Sequence, residues 1–592
     1  MTSNRTSLRL IHARPADLLA CGLLTMIVSL LASGRRFASL AAGDLLNPDS
    51  YMRLARLEEI LRRGSLVDVV PNDVSGHGMV LSWSHLLDAI LLTLALPWRL
   101  VLDTSSALHV AAVMVGPFGM GALGAALAWA VAPFVPRVWL WTGPLLAALS
   151  PGVLGYGLPG ILHHHVLLAV VAVMALGLAA RAAVASREQG IGIGARLGAW
   201  AGVGFWLSPE SMPFVLLAFG LLWLAWLTAP RDGLAPRAMA AGAVCLMVTA
   251  TAFFIDPPIA SPLSPFVDRL SVVYIALAFV LMLIGTAAVA IDRAGLSGGV
   301  RAGVALLIGT VFLSGWILAF PALQRGAEGV VDEAMARAML GHILEMQPVR
   351  GTADILGLLL NATCATALMA MLAVARRDML LGYAALCGVF VLAIGQSHVR
   401  FSTYAAVYAA AVLPVALAWT QQRLASRGEA AMATARMVVL GVAILSVQAR
   451  AFTTILLPDA LAAEGAETSD CKARPIVPLL VPYAGSVVLS DVDEVPELLY
   501  RTGLRTVGSL YHRDPSAFMR LRAAWDSPPS DEVPRAVLVT EADLLLLCLK
   551  TSQPYGRSQT LHARLTRGEV PPWLTPLWTA PAEGHMLYRV QR

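Results

Sequence analysis

The chain has 592 residues, of which 57% are hydrophobic and 14% are charged, and its mean hydropathy is +0.70. These values lie far outside the range of soluble domains, so a soluble enzyme or binding module is excluded. The net charge of +5 comes mainly from arginines in short loops between apolar runs, a pattern that indicates membrane topology and not a nucleic-acid surface. The sequence therefore predicts a polytopic membrane protein with no nucleic-acid partner.

The apolar runs are close to the roughly 20 residues that a helix needs to cross a hydrocarbon core, and they lack the alternation of strands. A basic leader precedes the first run without a cleavage site, which favours an uncleaved span and a cytoplasmic amino terminus. About thirteen spans are predicted, near residues 17–33, 107–132, 137–152, 161–183, 194–207, 211–229, 237–255, 270–291, 300–320, 353–375, 378–395, 401–420 and 435–456.

The loop charges favour thirteen spans over fourteen, because this number places the arginine-rich span ends on one side of the membrane. The apolar run from Trp83 to Leu96 is left out, since it is short and interrupted by His85 and Asp88. We interpret it as an interfacial or re-entrant helix.

The chain is predicted to divide into a membrane domain, 1–457, and an outer domain, 458–592. Two long outer loops, 34–106 and 321–352, belong to the membrane domain. An odd number of spans places the tail outside, so we expect a multi-pass protein of the cytoplasmic (inner) membrane with a periplasmic or extracellular carboxy-terminal domain.

The tail is predicted to be a small α/β domain, because its apolar runs shorten to strand length. Strands are predicted at 486–491 and 536–540, and helices at 495–501 and 516–525. Cys471 and Cys548 both lie in this tail, where an oxidising compartment would allow a disulfide between them.

The first outer loop contains Asp49 in the segment NPDSYMRLARL, where Tyr51, Leu54 and Leu57 share one helical face. This pattern predicts an amphipathic helix lying on the membrane. Asp49 has two interpretations, a cap of the first-turn amides or a group of an active site.

Three consecutive histidines, His163 to His165, lie at the outer edge of a predicted span. Imidazole at the interface loses hydration unless it binds a proton, a metal or a partner, so the cluster is a candidate site; interfacial anchoring is the alternative. Glu345 lies in the outer segment HILEMQP, where an ordinary solvated carboxylate is the alternative. Glu210, in SPES at the outer end of a short span, is predicted to face the same cavity and bind substrate.

Two segments carry a resemblance to the oligosaccharyltransferase catalytic subunits. NPDSYMRLARL resembles their Asp-containing first-loop motif, and HILEMQP is similar to their SVSEHQP motif. The order of spans, outer loops and carboxy-terminal domain also agrees. The resemblance implies the C-type (GT-C) glycosyltransferase fold and transfer of sugars from polyprenyl phosphate or pyrophosphate carriers. The WWDYG motif that reads the asparagine sequon is absent, so a glycan, a lipid or another protein side chain is the expected acceptor.

Carried over to this chain, the resemblance implies that Asp49 and Glu345 belong to a site for a divalent cation. The family's second acidic motif is replaced by LHHHV, which puts His163 where an acidic residue is expected. Mg²⁺ prefers oxygen, whereas imidazole suits Mn²⁺ or a softer metal. We therefore predict Asp49, His163, His165 and Glu345 as ligands of Mn²⁺, Mg²⁺ or a softer ion, with Asp49, Glu345 and His164 catalytic and His164 as the base.

Arg400, in QSHVRFSTYA, resembles an arginine that contacts the lipid-linked phosphate in this family, and His398 beside it is predicted to share that role. A snorkelling interfacial arginine is the alternative. In the tail, Tyr511, His512 and Arg513 form a YHR tripeptide that resembles a segment of bacterial C-type enzymes; they are weaker candidates for binding substrate.

Three further outer-loop charges, Asp256, Asp268 and Arg269, are interpreted as plain loop charges. The predicted function is metal-assisted sugar or glycan transfer from a polyprenyl-linked donor within the membrane lipid. Two alternatives stay open: a transporter or flippase for a lipid-linked or anionic substrate, and a degenerate homologue that only binds.

Overall fold

The computed structural model describes residues 13–70, 79–228, 233–259, 261–331, 343–425, 428–429, 431–432, 436, 471–513, 515–549, 559–580 and 584–592. In the membrane part the helices are α1 Pro15–Ala32, α2 Phe37–Ala41, α3 Pro48–Arg63, α4 Leu86–Ala95, α5 Thr104–Val131, α6 Thr142–Leu149, α7 Pro151–Gly157, α8 His165–Val184, α9 Arg187–Leu207, α10 Met212–Thr228, α11 Leu234–Ile255, α12 Val272–Arg293, α13 Gly298–Ala319, α14 Thr352–Arg376, α15 Met379–Ser397 and α16 Ser402–Ala425. A two-stranded antiparallel hairpin, β1 Val69–Val70 with β2 Met79–Val80, lies between α3 and α4.

Ten helices among the described residues are long and apolar enough to cross a membrane, and the number is eleven if α6 and α7, which are bent by 73° at their junction, count as one span. The prediction of a polytopic helical protein is confirmed. Of the other predicted spans, 194–207 falls within the glycine-rich α9, which is less apolar than these ten. The last, 435–456, lies outside the described residues. As expected, α4 is too short to span.

Close helix packing in the membrane part depends on a line of glycines along α9. Four of them, spaced four residues apart, lie on one face of the helix: Gly190, Gly194, Gly198 and Gly202. A Cβ atom on Gly198 would collide with the backbone carbonyl of Ala241 on α11, and one on Gly194 would collide with that of Arg237. The absence of side chains therefore brings the two backbones into contact, as small residues do at many membrane helix interfaces.

The carboxy-terminal domain, for which we keep the name outer domain from its predicted location, is described from residue 471. It is built on a five-stranded sheet in the order β4-β3-β5-β7-β6. Its β3 runs parallel to both β4 and β5, whereas β7 is antiparallel to β5 and β6. Its elements are β3 Val487–Leu489, β4 Arg505–Thr506, β5 Leu544–Cys548, β6 Leu574–Ala580, β7 His585–Val590, α17 Val477–Leu480, α18 Val495–Arg501, α19 Pro515–Trp525, α20 Arg535–Leu538 and α21 Leu561–Thr566.

Three of the four predicted elements of the tail are present, and further strands and helices accompany them. The predicted strand at 536–540 is wrong, because α20 occupies this segment and only Val537 of its side chains is buried. Cys471 and Cys548 are joined by a disulfide with a Cα–Cα distance of 5.9 Å.

The helix after Asp49, α3, is buried on the face that is predicted to meet solvent. Asn47 caps it by accepting a hydrogen bond from the backbone N–H of Ser50, so Asp49 is not the cap. Leu54 and Leu57 are fully buried, and Arg53 and Arg56 are buried as well. The reason is tertiary: the helix packs between α5 and α18 of the outer domain, which covers the face expected to meet solvent.

Substitution of Gly198 by leucine should lower the stability of the helix bundle, because the side chain must push α9 away from α11. Overpacking of this kind typically costs about 1–3 kcal/mol. Thermal unfolding of the purified protein in detergent measures the effect. The matched control is Gly309→Leu on α13, where a Cβ atom meets open space; equal melting temperatures for the two variants would contradict the prediction.

Candidate active site

The predicted site residues lie at the outer ends of helices, where short turns interrupt the chain. His164 and His165 begin α8, and Asp49 lies in the first turn of α3. Three 3-10 turns carry the other groups: Pro209–Ser211 holds Glu210, Leu344–Met346 holds Glu345, and Val399–Phe401 holds Arg400. These turns let side chains from helices far apart in sequence converge on one point.

A small cavity of about 50 Å³ lies at this point. It is lined by Asp49, Arg53, Trp83, Leu162, His163, His164, His165, Glu345 and Arg400. The cavity thus brings together six of the residues predicted for the site, and its size suits an ion or a water molecule rather than a substrate.

Arg400 is the central cation of the cluster. Its Nη2 atom lies 2.7 Å from Glu210 Oε1, 3.3 Å from His165 Nε2 and 4.0 Å from Glu345 Oε1. Its Nη1 atom donates to the sulfur of Met346 at 2.9 Å. The side chain is mostly buried, so these contacts hold a charge that is largely withdrawn from water.

The histidines form a continuous polar line beside this arginine. His163 Nδ1 and His165 Nδ1 are 3.3 Å apart. His163 Nε2 lies 3.6 Å from Asp49 Oδ2, and His165 Nε2 lies 3.5 Å from Glu210 Oε2. The Nε2 atoms of His163 and His165 therefore each face a carboxylate.

Tyr156 of α7 contacts two of these groups, although no sequence pattern selects it as a site residue. Its ring stacks on His165 at a centroid distance of 4.3 Å, and its hydroxyl donates to Glu345 Oε2 at 2.8 Å. Burial would raise the pKa of the Glu345 carboxyl, but Arg400 and His163 bring it below the ordinary value. Glu345 is therefore an ionised, oriented carboxylate.

His164 differs from its neighbours because its Nε2 atom is buried without a hydrogen-bond partner among the described residues. Burial, followed by the neighbouring His165 and Arg53, lowers the pKa of His164 well below its ordinary value. The ring is therefore neutral, and an unengaged imidazole nitrogen accepts a proton or a metal ion.

The ligand atoms of His164, His165 and Glu210 all lie within 4.8 Å of one another, which is a spacing that fits a metal ion. His164 and Glu210 are not among the predicted metal ligands, which are Asp49, His163, His165 and Glu345. Asp49 and Glu345 line the same cavity, but each already accepts a hydrogen bond from a tyrosine.

The three residues of the tail tripeptide, Tyr511 to Arg513, contact two different carboxylates. The Tyr511 hydroxyl donates to Asp49 Oδ1 at 2.8 Å, so the outer domain contributes directly to the site. His512 Nε2 and Arg513 Nη2 each lie 2.7 Å from a carboxylate oxygen of Asp268. The interpretation of Asp268 as a plain loop charge is therefore wrong, since it ties the outer domain to a membrane loop.

His398 lies apart from the cavity. Its Nδ1 atom is 2.9 Å from the hydroxyl of its neighbour Ser397, and its ring meets the edge of Phe401. His342, the first residue of the HILEMQP segment, lies outside the described residues.

A network of buried charges adjoins the cavity through Arg53. Asp88 lies 3.1 Å from Arg53 Nη1, 2.6 Å from Arg56 Nη2 and 2.8 Å from His85 Nδ1. His85 Nε2 continues to Asp68 at 3.2 Å.

The network extends to the loop after α11. Arg269 contacts Asp68 at 2.6 Å and Asp256 at 2.7 Å, and Asp256 also accepts a hydrogen bond from Trp206. Asp256 and Arg269 are almost completely buried. The prediction that both are plain loop charges is wrong, because both are buried in specific contacts: Arg269 pairs with Asp68 from a distant segment, and Asp256 pairs with Arg269 and accepts a hydrogen bond from Trp206.

The fold was compared with known structures. The oligosaccharyltransferase AglB from Archaeoglobus fulgidus, in complex with an inhibitory peptide and a dolichol-phosphate, superposes with a TM-score of 0.68 at 13% identity, over 90% of this chain and 69% of that chain. The same enzyme tethered to an acceptor peptide superposes with a TM-score of 0.67 at 13% identity, over 98% of this chain and 74% of that chain. Its complex with zinc and sulfate superposes with a TM-score of 0.65 at 13% identity, over 97% of this chain and 73% of that chain.

This chain has the C-type glycosyltransferase fold. The similarity spans both the membrane part and the outer domain, as the coverage of this chain requires. No protein-family model and no curated protein matches the sequence. Within the C-type fold, the cavity described above lies where the outer loops, the helix ends and the outer domain meet.

Replacement of Asp88 by asparagine should lower the free energy of unfolding by about 3–5 kcal/mol, because two buried arginines lose their counter-ion. Burial would raise the pKa of Asp88, but Arg56, His85 and Arg53 hold it well below its ordinary value. Its contribution is therefore present above about pH 4 and is lost only as the pH falls toward the folded-state pKa.

Denaturant unfolding in detergent at neutral pH measures this loss. The matched control is Asp531→Asn, since Asp531 is 81% exposed in its pair with Arg564 and should cost no more than about 1 kcal/mol. A loss for Asp88→Asn no larger than that of the control would show that the network does not stabilise the fold.

Proposed function

We propose that the protein is a membrane glycosyltransferase that moves a sugar or glycan from a polyprenyl phosphate or pyrophosphate donor to an acceptor at the outer face of the cytoplasmic membrane. One observation carries this proposal: the charged cluster around Arg400 lies one helical turn from Phe214 and Tyr404, which line a large apolar cavity. A lipid-linked sugar has the same two parts, an anionic head and a hydrocarbon tail.

The apolar cavity has a volume of about 1320 Å³ and extends between α5, α8, α10, α14, α15 and α16. Phe214 and Tyr404 line its outer end, and each lies one helical turn after a charged residue of the site, Glu210 and Arg400. The volume exceeds the roughly 300–1,000 Å³ of pockets for drug-sized molecules. A tail of several isoprene units would extend from the site into this space.

Arg400 is the proposed ligand of the donor phosphate, with His398 as a weaker contributor. A planar guanidinium binds phosphate through paired hydrogen bonds and stays charged near lipid. Its present partners, Glu210 and Glu345, hold the guanidinium at the end of the cavity until the phosphate arrives. The archaeal oligosaccharyltransferase of the same fold was solved with dolichol-phosphate, which supports a donor of this class.

A divalent cation fits the site, and the test is the balance of charge. Asp49, Glu210 and Glu345 present three carboxylates, whereas Arg400 and Arg53 supply two cations, and Arg53 shares the carboxylate of Asp88 with Arg56. The buried Nε2 of His164 is also without a partner among the described atoms. Asp49, His163, His165 and Glu345 would hold the ion and leave His164 free to act as a base. The trio His164, His165 and Glu210 is the alternative ligand set, which would use His164 as a ligand instead of a base.

The mixed imidazole and carboxylate set suits Mn²⁺ or Zn²⁺ better than Mg²⁺. The bound ion would supply stabilisation of the phosphate charge that develops as the donor bond breaks.

The protein groups have separate roles in the proposed transfer. Asp49, oriented by Tyr511, positions the acceptor hydroxyl, and His164 Nε2 accepts its proton. His164 is a weak base, so the proton would leave late, as the sugar–phosphate bond breaks and the glycosidic bond forms. Arg400 stabilises the departing lipid phosphate. A single displacement of this kind inverts the configuration at the sugar carbon.

A transporter is the second candidate, because the apolar cavity continues to the far ends of its helices. There it is lined by Ser186, Gln189, Arg376 and Asp378. A lipid-linked substrate that crossed the membrane would need such a continuous path. The transfer experiment separates the two functions.

Transfer should fall about a hundredfold in both Asp49→Asn and Glu345→Gln, since each removes a charge that faces the reacting groups. Purified protein in detergent is given a mixture of polyprenyl-phosphate sugars, and both donor consumption and metal binding are measured. The control is Glu569→Gln, on the outer domain surface. If wild type consumes no donor but moves it between the leaflets of proteoliposomes, the transporter replaces the glycosyltransferase.

Substitution of Ala180 by tryptophan should raise the KM for a long-chain donor by at least about tenfold, because the ring fills part of the apolar cavity and each displaced methylene is worth roughly 0.8 kcal/mol. The KM for a short-chain donor should change little. Leu307→Trp on the exposed surface of α13 is the control. An equal rise in KM for the long-chain and short-chain donors would show that the donor's hydrocarbon tail does not occupy this cavity.

Removal of the Tyr511 hydroxyl, in Tyr511→Phe, should lower kcat about tenfold or more, since a hydrogen bond to a charged group is worth roughly 1.5–3 kcal/mol. Steady-state kinetics measure the change. Tyr588→Phe, in the same domain but bonded to Met586, serves as the control. Unchanged kcat in Tyr511→Phe would limit Tyr511 to a structural contact.

A further inference from the structure

The outer domain contains a second cluster of potential metal ligands, far in sequence from the site at the membrane. The sulfur atoms of Cys471 and Cys548 and a carboxylate oxygen of Glu494 all lie within 4.8 Å of one another. Both cysteines and Glu494 are buried, with at most 3% of each residue exposed. In this structure the two cysteines form a disulfide.

A histidine completes the cluster. His585 Nε2 lies 2.6 Å from Glu494 Oε1, and both side chains are almost completely removed from solvent. The second carboxylate oxygen of Glu494, Oε2, and the second ring nitrogen of His585, Nδ1, have no hydrogen-bond partner among the described residues. Buried polar atoms without partners are costly and call for a specific explanation.

The fold holds two of these four residues on paired strands. Cys548 ends β5 and is paired in register with His585, which begins β7. Glu494 immediately precedes α18, and Cys471 opens the described part of the domain. Strand pairing therefore fixes two of the four residues relative to each other, and sites built on such elements are more precise than sites on loops.

We propose that this cluster is a redox-controlled zinc site, whose disulfide is the metal-free state. In the dithiol state, Cys471, Cys548 and Glu494 ligate Zn²⁺, and His585 holds the carboxylate from the side. Two thiolates and a carboxylate suit zinc, and a hydrogen bond to the ligating carboxylate is the usual support for such a ligand. The fourth position stays open to water.

The conversion needs a dithiol reductant. Its two thiols are oxidised to a disulfide, and two electrons and two protons pass to the Cys471–Cys548 bond, which breaks. Zn²⁺ then displaces the two thiol protons as the thiolates bind. Oxidation reverses the sequence and releases the ion. The proposal does not depend on glycosyl transfer.

The test is metal binding by full-length protein in detergent, oxidised and reduced, with Co²⁺ and Zn²⁺ as probes. Thiolate ligation of Co²⁺ gives an intense near-ultraviolet charge-transfer band, which histidine and carboxylate ligands of the membrane site do not give. We expect this band only after reduction, together with an additional equivalent of zinc. A reduced protein without the band, or with the same zinc content as the oxidised protein, would overturn the proposal.

Three variants make the result specific. Cys548→Ser should abolish the band, and Glu494→Gln, which keeps the size of the side chain, should weaken Co²⁺ binding by at least about tenfold. The matched control is Cys245→Ser, a buried cysteine of α11, which should bind as wild type does. If Cys548→Ser does not fold, Glu494→Gln decides: an unchanged affinity would exclude the carboxylate and with it the proposed site.

Discussion

The carboxylate of Asp88 is the interaction on which the outer half of the molecule depends. It pairs with both Arg53 and Arg56 of α3 and orients His85, and all four groups are buried. Without it, α3 would carry two buried arginines with no carboxylate beside them, which would oppose its packing between α5 and α18. Since Asp49 lies at the start of α3, the position of this candidate-site carboxylate depends on the buried pairing.

Much of this organisation could be predicted from the sequence, because it rests on local patterns. Apolar length identified most of the spanning helices, and residue types that are rare at membrane interfaces selected the histidines, Glu345 and Arg400. These side chains converge on one cavity. Their chemical roles stay predictions.

The sequence could not predict which charges pair. Asp256 and Arg269 look like loop charges because their partners, Trp206 and Asp68, lie on other segments. Tyr156 carries no signal at all, since an aromatic residue at a helix end is ordinary. The error for α3 has the same origin: the surface that covers it belongs to a domain more than 400 residues further along the chain.

The structure meets the two physical demands of the proposed lipid-linked substrate in separate places. The polar side chains form a small, crowded cluster at the helix ends, whereas the large apolar cavity begins one helical turn further along α10 and α16. Small residues on α8, among them Gly177 and Ala180, create that volume. Mutations in either region should therefore affect one part of the substrate without disturbing the other.

The two turns that carry Glu345 and Arg400 are joined through their backbones. Val399 N–H donates to Gln347 at 2.8 Å, and Val349 N–H donates to Gln396 at 3.0 Å, so the segments form a short ladder across the helix ends. The backbone segments that carry the carboxylate and the guanidinium are thus hydrogen-bonded to each other. A shift of one segment should therefore draw the other with it, so a ligand that moves Glu345 would also move Arg400.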